Sequence, residues 1–468
     1  MASPNDSKQH MAVVICGHVD SGKSTTTGHL LFQLGGISER DMEKMKKEAE
    51  DMGKSSFHFA FFLDKTKEER KRGITISCTT KDFYTPNYHY TIIDAPGHRD
   101  FMKNMISGAS QADVGVLMVP ADGNFATSIA KGDKKAGEVK GQTREHARLL
   151  NLLGVKQLIV CVNKMDEKTA NYSKERYEEV KNEIVNTLLR VGWTKAFVEQ
   201  SVAVIPISGY VGDNLFKKSD KMPWWTGVDV KAIDGSTVHV STLHDALDMY
   251  AKPPKRMIDA PMRVPISGVI TTIKGVGLVV TGKVEQGVVK VGDEVVFIPT
   301  HTATNPCTGR VFSIEMHNKS VAQGETGFNI GACIKGFNKD YLPKTGDIMI
   351  LKSDTTIKTP KRFHLMAQIL DHPGELKPGY TPIVHCRTAK VPCKLAEIRW
   401  KKGKETNMQQ VDNPVGVKAN EMAYLVFDVN PAHPIVVDKF TNSEVLGRVA
   451  IMDGNEATML GKVMDVEY

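Results

Sequence analysis

Gly17, Gly22 and Lys23 constrain this chain more than any other residues. They sit in Gly17-His18-Val19-Asp20-Ser21-Gly22-Lys23-Ser24, after the apolar run Met11–Cys16 and before a stretch of helical period, Ser24–Gln33. A strand that ends in such a loop and restarts as a helix can wrap its amides around an anion, because glycine has no Cβ to hold the backbone away. The helix N-terminus adds partial positive charge at the same point. Lys23 can then reach β- and γ-phosphates, and the Ser24 hydroxyl can bind Mg²⁺. The phosphate cradle runs from Gly17 to Thr25. A loop of this kind needs a strand behind it and a helix in front, which commits the first part of the chain to an α/β fold.

Two more segments follow in the order such a site requires. Asp94-Ala95-Pro96-Gly97-His98 comes after the apolar run Tyr90–Ile93. Asp94 can hold Mg²⁺ directly or through a water, and Gly97 can offer its amide to a γ-phosphate and flip once that phosphate leaves. His98 stands where many small GTPases carry a water-positioning Gln, and an imidazole there can orient the attacking water. Asn163-Lys164-Met165-Asp166 comes after Gln157–Val162. The Asp166 carboxylate can accept from both guanine N1–H and the exocyclic amine, a donor pair adenine lacks. Lys164 can pack its stem over the ring, Asn163 can brace the loop, and Ser208-Gly209 can offer backbone donors to guanine O6. In Arg72-Gly73-Ile74-Thr75-Ile76, Thr75 can give its hydroxyl to Mg²⁺ and its amide to the γ-phosphate, contacts that disappear on hydrolysis. The expected metal set is Ser24, Thr75 and Asp94. The three main segments together arise by chance in on the order of one unrelated chain in ten thousand. They point to a switch that binds GTP, GDP and Mg²⁺.

The chain is 468 residues long, and a prior of about 150 residues per domain suggests about three domains. Up to about residue 250, short apolar runs alternate with polar stretches of helical spacing such as Thr143–Leu153 and Ser173–Val191. That pattern predicts a doubly wound, mostly parallel sheet. Each motif begins where an apolar run ends, so four segments should meet at the carboxyl edge of one sheet. Pro253-Pro254-Lys255-Arg256 removes two amide donors and reads as a linker. Beyond it come short alternating runs bounded by Gly, Pro, Asn and Asp, Ile435–Phe440 among them, which predict two all-β barrels. The expected domains are residues 1–250, 257–353 and 358–468. Glu39–Lys71 is charged and helical in period, and reads as a long mobile insert. Its basic run Lys65–Arg72 suits either a solvated helix face or an RNA contact. Trp224-Trp225 reads as core.

Seven cysteines are scattered singly with no C-x-x-C pair. They read as buried free thiols of a cytoplasmic protein, without a zinc site. No apolar run approaches the roughly 18 residues of a membrane span, and Met1–His10 is polar. The net charge of +7 suits either a mildly basic surface or a polyanionic partner such as RNA.

On these motifs the chain resembles the translational GTPases, and among them the elongation factor 1-alpha family, closest to its divergent elongation-factor-like branch. The resemblance rests on Gly17–Leu30, Glu69–Ile76, Asp94–Asp100, Asn163–Asp166 and Ile207–Gly209, and on Gly282–Gly287, His372–Gly374 and Leu446–Ala450 further on. The long insert between Lys23 and Thr75 looks like the eukaryotic and archaeal type. The resemblance implies a GTP-bound carrier that brings aminoacyl-tRNA to the ribosomal A site, hydrolyses GTP on codon pairing, and rearranges its domains to release the tRNA. His98 would be catalytic, and Val19 with Ile74 would screen it from the γ-phosphate until the ribosome engages. A guanine-nucleotide exchange factor is an expected partner, with no membrane association and a monomeric state.

The chain departs from the family where the aminoacyl pocket would lie. Pro265–Ile270 offers Ser267, Gly268 and Ile270 in place of the family's polar-acidic pair and aromatic. His317 is retained, Gly324-Glu325-Thr326-Gly327 lacks an asparagine, Met452 replaces an arginine, and Asp465–Tyr468 is no basic tail. A rebuilt pocket is the expected meaning. The alternative is a release- or rescue-type GTPase that delivers a protein mimic of tRNA. Such chains usually carry a long N-terminal extension, whereas the first strand here is expected near Met11. A regulatory GTPase subunit of a sulfate-activating enzyme is a further alternative from a different functional class.

Overall fold

Because Met11–Cys16 carries no polar side chain, it can lie in a sheet covered on both faces. It forms the centre of β1 (His10–Gly17), buried along its whole length. The computed structural model describes residues 8–63, 66–72, 75, 79–98, 101–109, 111–130, 141–271, 278–316, 319–338, 340–370, 372, 374–454 and 456–468. These fall into two units, divided between Pro254 and Lys255.

The first unit is built on one six-stranded sheet. Its remaining strands are β2 (Thr79–Tyr84), β3 (His89–Asp94), β4 (Val114–Pro120), β5 (Leu158–Asn163) and β6 (Ala203–Pro206), in the spatial order β2-β3-β1-β4-β5-β6. All neighbours are parallel except β2, which runs antiparallel to β3 at the edge. The five parallel strands fall on five apolar runs of the sequence, Met11–Cys16, Tyr90–Ile93, Val114–Pro120, Gln157–Val162 and Val202–Ile207. β2 was not among them because its residues alternate between buried and exposed, as an edge strand permits. The helices are α1 (Lys23–Gln33), α2 (Glu39–Asp51), α3 (Lys67–Arg72), α4 (Met102–Ala109), α5 (Phe125–Ile129), α6 (Gln142–Leu153), α7 (Lys174–Arg190) and α8 (Lys195–Ser201). The insert of charged, helical period therefore contains α2 and α3, with two short 3-10 turns between them, Ser55–Phe57 and Ala60–Phe62. In α2, Ser38 caps the N-terminus by accepting from the Asp41 amide, and Met42 and Ala49 are buried. Trp225 is buried and its indole N–H donates to the Ser241 carbonyl, while Trp224 is half-buried and donates to Tyr172.

The second unit holds two large sheets, each closed into a barrel, and a two-stranded pair, Val289–Lys290 with Gln323–Gly324. In the first, strands Glu294–Ile298, Ile348–Leu351, Val264–Ile270, Leu278–Lys283, Asn329–Lys335 and Thr308–Met316 follow one another, and pairing of the last with the first closes the ring. In the second the order is Ile383–Cys386, Arg448–Asp453, Glu456–Glu467, Arg362–Ile369, Met422–Val429 and Ala389–Lys402, again closed end to end. Closure removes the unpaired sheet edges that would otherwise template aggregation. Ile435–Phe440 is not a strand: no ladder forms there, although Ile435, Val436 and Val437 are buried. Pro431 and Pro434 lie just upstream and lack amide donors, and the backbone bonds singly, Phe440 N–H to the Val463 carbonyl at 2.8 Å. The two barrels share apolar packing, since Val296, Ile298, Ile348 and Ile350 join the cluster that contains Phe363, Leu365 and Phe427. Arg263 pairs with Asp354, and the Ser443 hydroxyl donates to Gln286 Oε1 at 2.9 Å.

Six cysteines among the described residues are buried and unbridged, and Cys78 lies outside them. Among the described residues no helix is long and apolar enough to cross a membrane, and no group of three or more His, Cys, Asp or Glu is placed to hold a metal ion.

Candidate nucleotide site

The loops that leave the carboxyl ends of β1, β3, β4, β5 and β6 converge, as ligand-binding loops do at the switch point of an open α/β sheet. Those after β1, β3, β5 and β6 border a cavity of ≈450 Å³, within the size range of small-molecule sites. Val19, Asp20, Gly22, Lys23, Ser24 and Thr25 form one wall. Gly97, His98, Thr75, Asn163, Lys164 and Asp166 line the cavity as well.

Backbone geometry explains the glycines. Gly22 caps α1 in the left-handed region (φ 84°), and a Cβ there would overlap the Asn163 side-chain nitrogen. Gly22→Ala is therefore expected to weaken GDP binding about tenfold or more, since L residues pay for positive φ and the Asn163 brace must move. Isothermal titration calorimetry checks this. Asn163 ties the loops together: its Nδ2 donates to the Ser21 carbonyl at 2.8 Å, and its Oδ1 accepts from the Gly209 amide at 2.8 Å. Ser208 is fully buried, and its hydroxyl oxygen accepts a hydrogen bond from the Val211 amide at 3.0 Å. Lys164 takes positive φ and its ammonium donates to Asp122 Oδ2 at 2.8 Å. The loop carrying Asp166 is held by Met165 N–H to the Ile207 carbonyl and Tyr172 N–H to the Met165 carbonyl.

At the phosphate loop Lys23 Nζ and Ser21 Oγ both donate to the His18 carbonyl, at 2.7 and 2.8 Å. Burial and the neighbouring Lys23 hold His18 below its ordinary range. A Cβ on Gly97 would overlap Lys23 Nζ and lie 3.1 Å from the Gly17 carbonyl oxygen and the Val19 amide nitrogen, so the segment runs close against the phosphate loop. Ser24 Oγ donates to Asp94 Oδ2 at 2.7 Å and lies 3.1 Å from Thr75 Oγ1. Of the three side chains expected to hold a metal, Ser24 is thus within hydrogen-bonding distance of both others.

The fit to Mg²⁺ rests on Asp94. It is fully buried, its Oδ1 has no hydrogen-bond partner, and burial pushes its carboxyl up to about 6. A carboxylate and two hydroxyls are hard oxygen donors, and a site of few protein ligands suits Mg²⁺, which keeps waters and substrate phosphates in its shell. The residues fit the ion.

Three further residues at this site escaped the sequence reading. Asp122, after β4, anchors Lys164. Gln142 and His146, one turn apart on α6, hold the phosphate loop from behind. Val19 N–H donates to Gln142 Oε1 at 3.3 Å and Gly17 N–H to His146 Nδ1 at 3.0 Å. Burial, with Lys23 nearby, lowers His146 to about 3, so it accepts as a neutral ring. The available signal was a Gln and a His at i, i+4 on the buried face of a helix.

Other expectations fall elsewhere. Ile74, Gly73 and His317 lie outside the described residues. Ser267 and Ile270 are exposed on strand Val264–Ile270 with Gly268 between them. Thr326 is buried and its hydroxyl donates to the Gly287 carbonyl. Met452 is 1% exposed, a core position.

Comparison with known proteins agrees with this architecture. Residues 8–253 match the elongation factor Tu GTP binding domain, 277–350 elongation factor Tu domain 2, and 362–464 the GTP-eEF1A C-terminal domain-like family. The chain is 42% identical to elongation factor 1-alpha of Tetrahymena pyriformis over 462 residues, 98% of each chain. It is 43% identical to elongation factor 1-alpha of Plasmodium falciparum (isolate K1 / Thailand) over 455 residues, 97% of this chain and 94% of the relative. In fold it is similar to the S. cerevisiae Ski7 GTPase-like domain bound to GTP, with a TM-score of 0.76 at 19% identity over 97% of each chain.

Proposed function

We propose, from the premise that this chain belongs to the elongation factor 1-alpha family of translational GTPases, that it carries aminoacyl-tRNA to the ribosome in its GTP form. The observation that carries the reading is full-length similarity: relatives named elongation factor 1-alpha match both the nucleotide unit and the two barrels at 41–43% identity. GTP hydrolysis is the chain's reaction, and tRNA delivery is the output assigned to it.

The residues divide the work by position. Amides of Gly17 to Thr25 cradle the phosphates, and Lys23 neutralises the β- and γ-phosphate oxygens. Bound Mg²⁺ offsets the negative charge that builds on these oxygens during transfer. Ser24, Asp94 and Thr75 would hold it, Thr75 only while its segment is docked. His98 orients the attacking water. Val19, which lines the same cavity as His98, acts with Ile74 to keep that imidazole away until the ribosome engages. Asp166 reads guanine, while Lys164, Asn163, Ser208 and Gly209 shape the base pocket. Loss of the γ-phosphate releases Thr75, and with it the segment that signals the GTP state. A cytoplasmic location, a monomeric state and a nucleotide exchange factor follow from the same reading.

The test is protection of the aminoacyl ester. Purified protein loaded with GTP is expected to slow spontaneous hydrolysis of aminoacyl-tRNA, and the GDP form to do so little. Absence of protection in both states, with GTP bound, replaces this reading by a switch that binds a protein in place of tRNA.

A further inference from the structure

The insert between α1 and Thr75 touches the nucleotide cavity at a place its switch role does not require. Ser56 and Phe57, in the first 3-10 turn, line the cavity together with Tyr210. Tyr210 follows Ser208-Gly209 directly, and Asp166, Lys164 and Thr25 share the same cavity. Phe57 is half-buried and Tyr210 is 49% exposed, so both rings retain surface that a ligand can cover.

The turn is held against the base-reading loop by a run of rings. His29 of α1 bonds the Gly209 carbonyl through Nδ1 at 2.9 Å and stacks flat on Phe59, centroids 4.2 Å apart. His58 lies 4.3 Å from Phe59 and 6.2 Å from Tyr210, centroid to centroid. A Cβ on Gly28 would overlap the Phe59 carbonyl, so α1 and the turn meet backbone to backbone. This packing fixes where Phe57 can be.

The turn is also tied to α3, the helix that leads to Thr75. Lys54 Nζ donates to the Arg70 carbonyl at 3.1 Å and lies 5.5 Å from the centre of the Phe57 ring. Arg70 reaches back through Nη2 to the Phe61 carbonyl at 3.1 Å and through Nη1 to Glu48 Oε1 at 2.6 Å. One insert therefore reaches the cavity at two places: Thr75 meets Ser24, and Phe57 lines the cavity that Tyr210 also lines.

We propose that Phe57 and Tyr210 form an aromatic cover over the nucleoside end of bound guanine nucleotide, and that Lys54 and Arg70 couple this cover to the Thr75 segment. Aromatic faces hold a base or ribose by stacking and apolar contact without reading its identity. The cover acts on retention, whereas Asp166 acts on choice. Phe57 and Tyr210 touch the ligand; Lys54 is a positioning residue that acts through Phe57. The inference rests on guanine-nucleotide binding alone and not on tRNA delivery.

The test is release of tritium-labelled GDP, and of a non-hydrolysable GTP analogue, chased by excess unlabelled GDP. A label in the base keeps the ribose free of a reporter that would meet Phe57. Phe57→Ala is expected to speed release of both nucleotides about tenfold or more, and Phe57→Tyr to restore the parent rate. Tyr210→Ala, at an exposed position, gives the same direction without risk to folding. Lys54→Ala is expected to speed release although Lys54 does not line the cavity, an effect simple loss of a surface charge would not produce. The proposal is overturned if Phe57→Ala and Tyr210→Ala both release GDP within about twofold of the parent. A parent protein that bound no guanine nucleotide would instead overturn the nucleotide site itself.

Discussion

Replacing His98 by Ala is expected to lower ribosome-stimulated GTP hydrolysis ~10²-fold or more while leaving GTP affinity near that of the parent. The asymmetry follows from where the side chain stands. His98 borders the cavity beside Gly97 and Thr75, at the phosphate end, and its ring packs at 5.9 Å from Phe101. Binding energy comes from the phosphate cradle and the base pocket, which the substitution does not touch. Orientation of the attacking water matters only in the transition state, so its loss falls on the chemical step. Single-turnover hydrolysis with saturating ribosomes, alongside a GTP affinity measurement, separates the two. A parent-like stimulated rate would transfer the water-positioning role to another residue.

Asp166→Asn is expected to lower guanine nucleotide affinity by ~10²-fold or more and to admit xanthine nucleotide. The carboxylate presents two acceptors to two guanine donors. An amide turns one of those acceptors into a donor that faces another donor, and a buried polar group without a partner costs more than the bond it replaced. Xanthine carries an oxo group where guanine carries its amine, so the Asn amide meets an acceptor there. The loop tolerates the change, because its shape is set by the backbone bonds of Met165 and Tyr172 and by the Asn163 strap, none of which uses the Asp166 side chain. Competition between GDP and xanthosine diphosphate reads the outcome. Unaltered guanine preference would remove Asp166 from base recognition.

These expectations could be framed from the primary structure because the chemistry of this site is local. A phosphate cradle is one continuous loop, and Gly17, Gly22, Lys23 and Ser24 are neighbours along the chain. The parallel strands were legible for a related reason. A strand buried on both faces must be apolar at every position, and five such runs stand out between polar helices. The edge strand Thr79–Tyr84 was not legible, because one covered face leaves only weak alternation. Ile435–Phe440 misled in the opposite direction. Its first residues, Ile435, Val436 and Val437, are apolar and buried, but burial alone does not make a ladder where the nearby backbone lacks donors.

By itself, then, the order of residues determined the class of fold, the division into an α/β part and two β parts, and the kind of ligand the first part takes. Each of those depends on periodicity or on spacing along the chain. Tertiary structure alone decided which distant side chains share a boundary. Gln142 and His146 lie far along the chain from the loop they brace, and Asp122 is remote from the Lys164 it anchors. Thr326, from a segment aligned with a ligand pocket, gives its hydroxyl to the Gly287 carbonyl. Phe57 reaches the cavity only because His29, Phe59 and Gly28 pack its turn onto α1. Such partnerships are set by close packing between elements, whose partners are distant in the chain and carry no shared period along it.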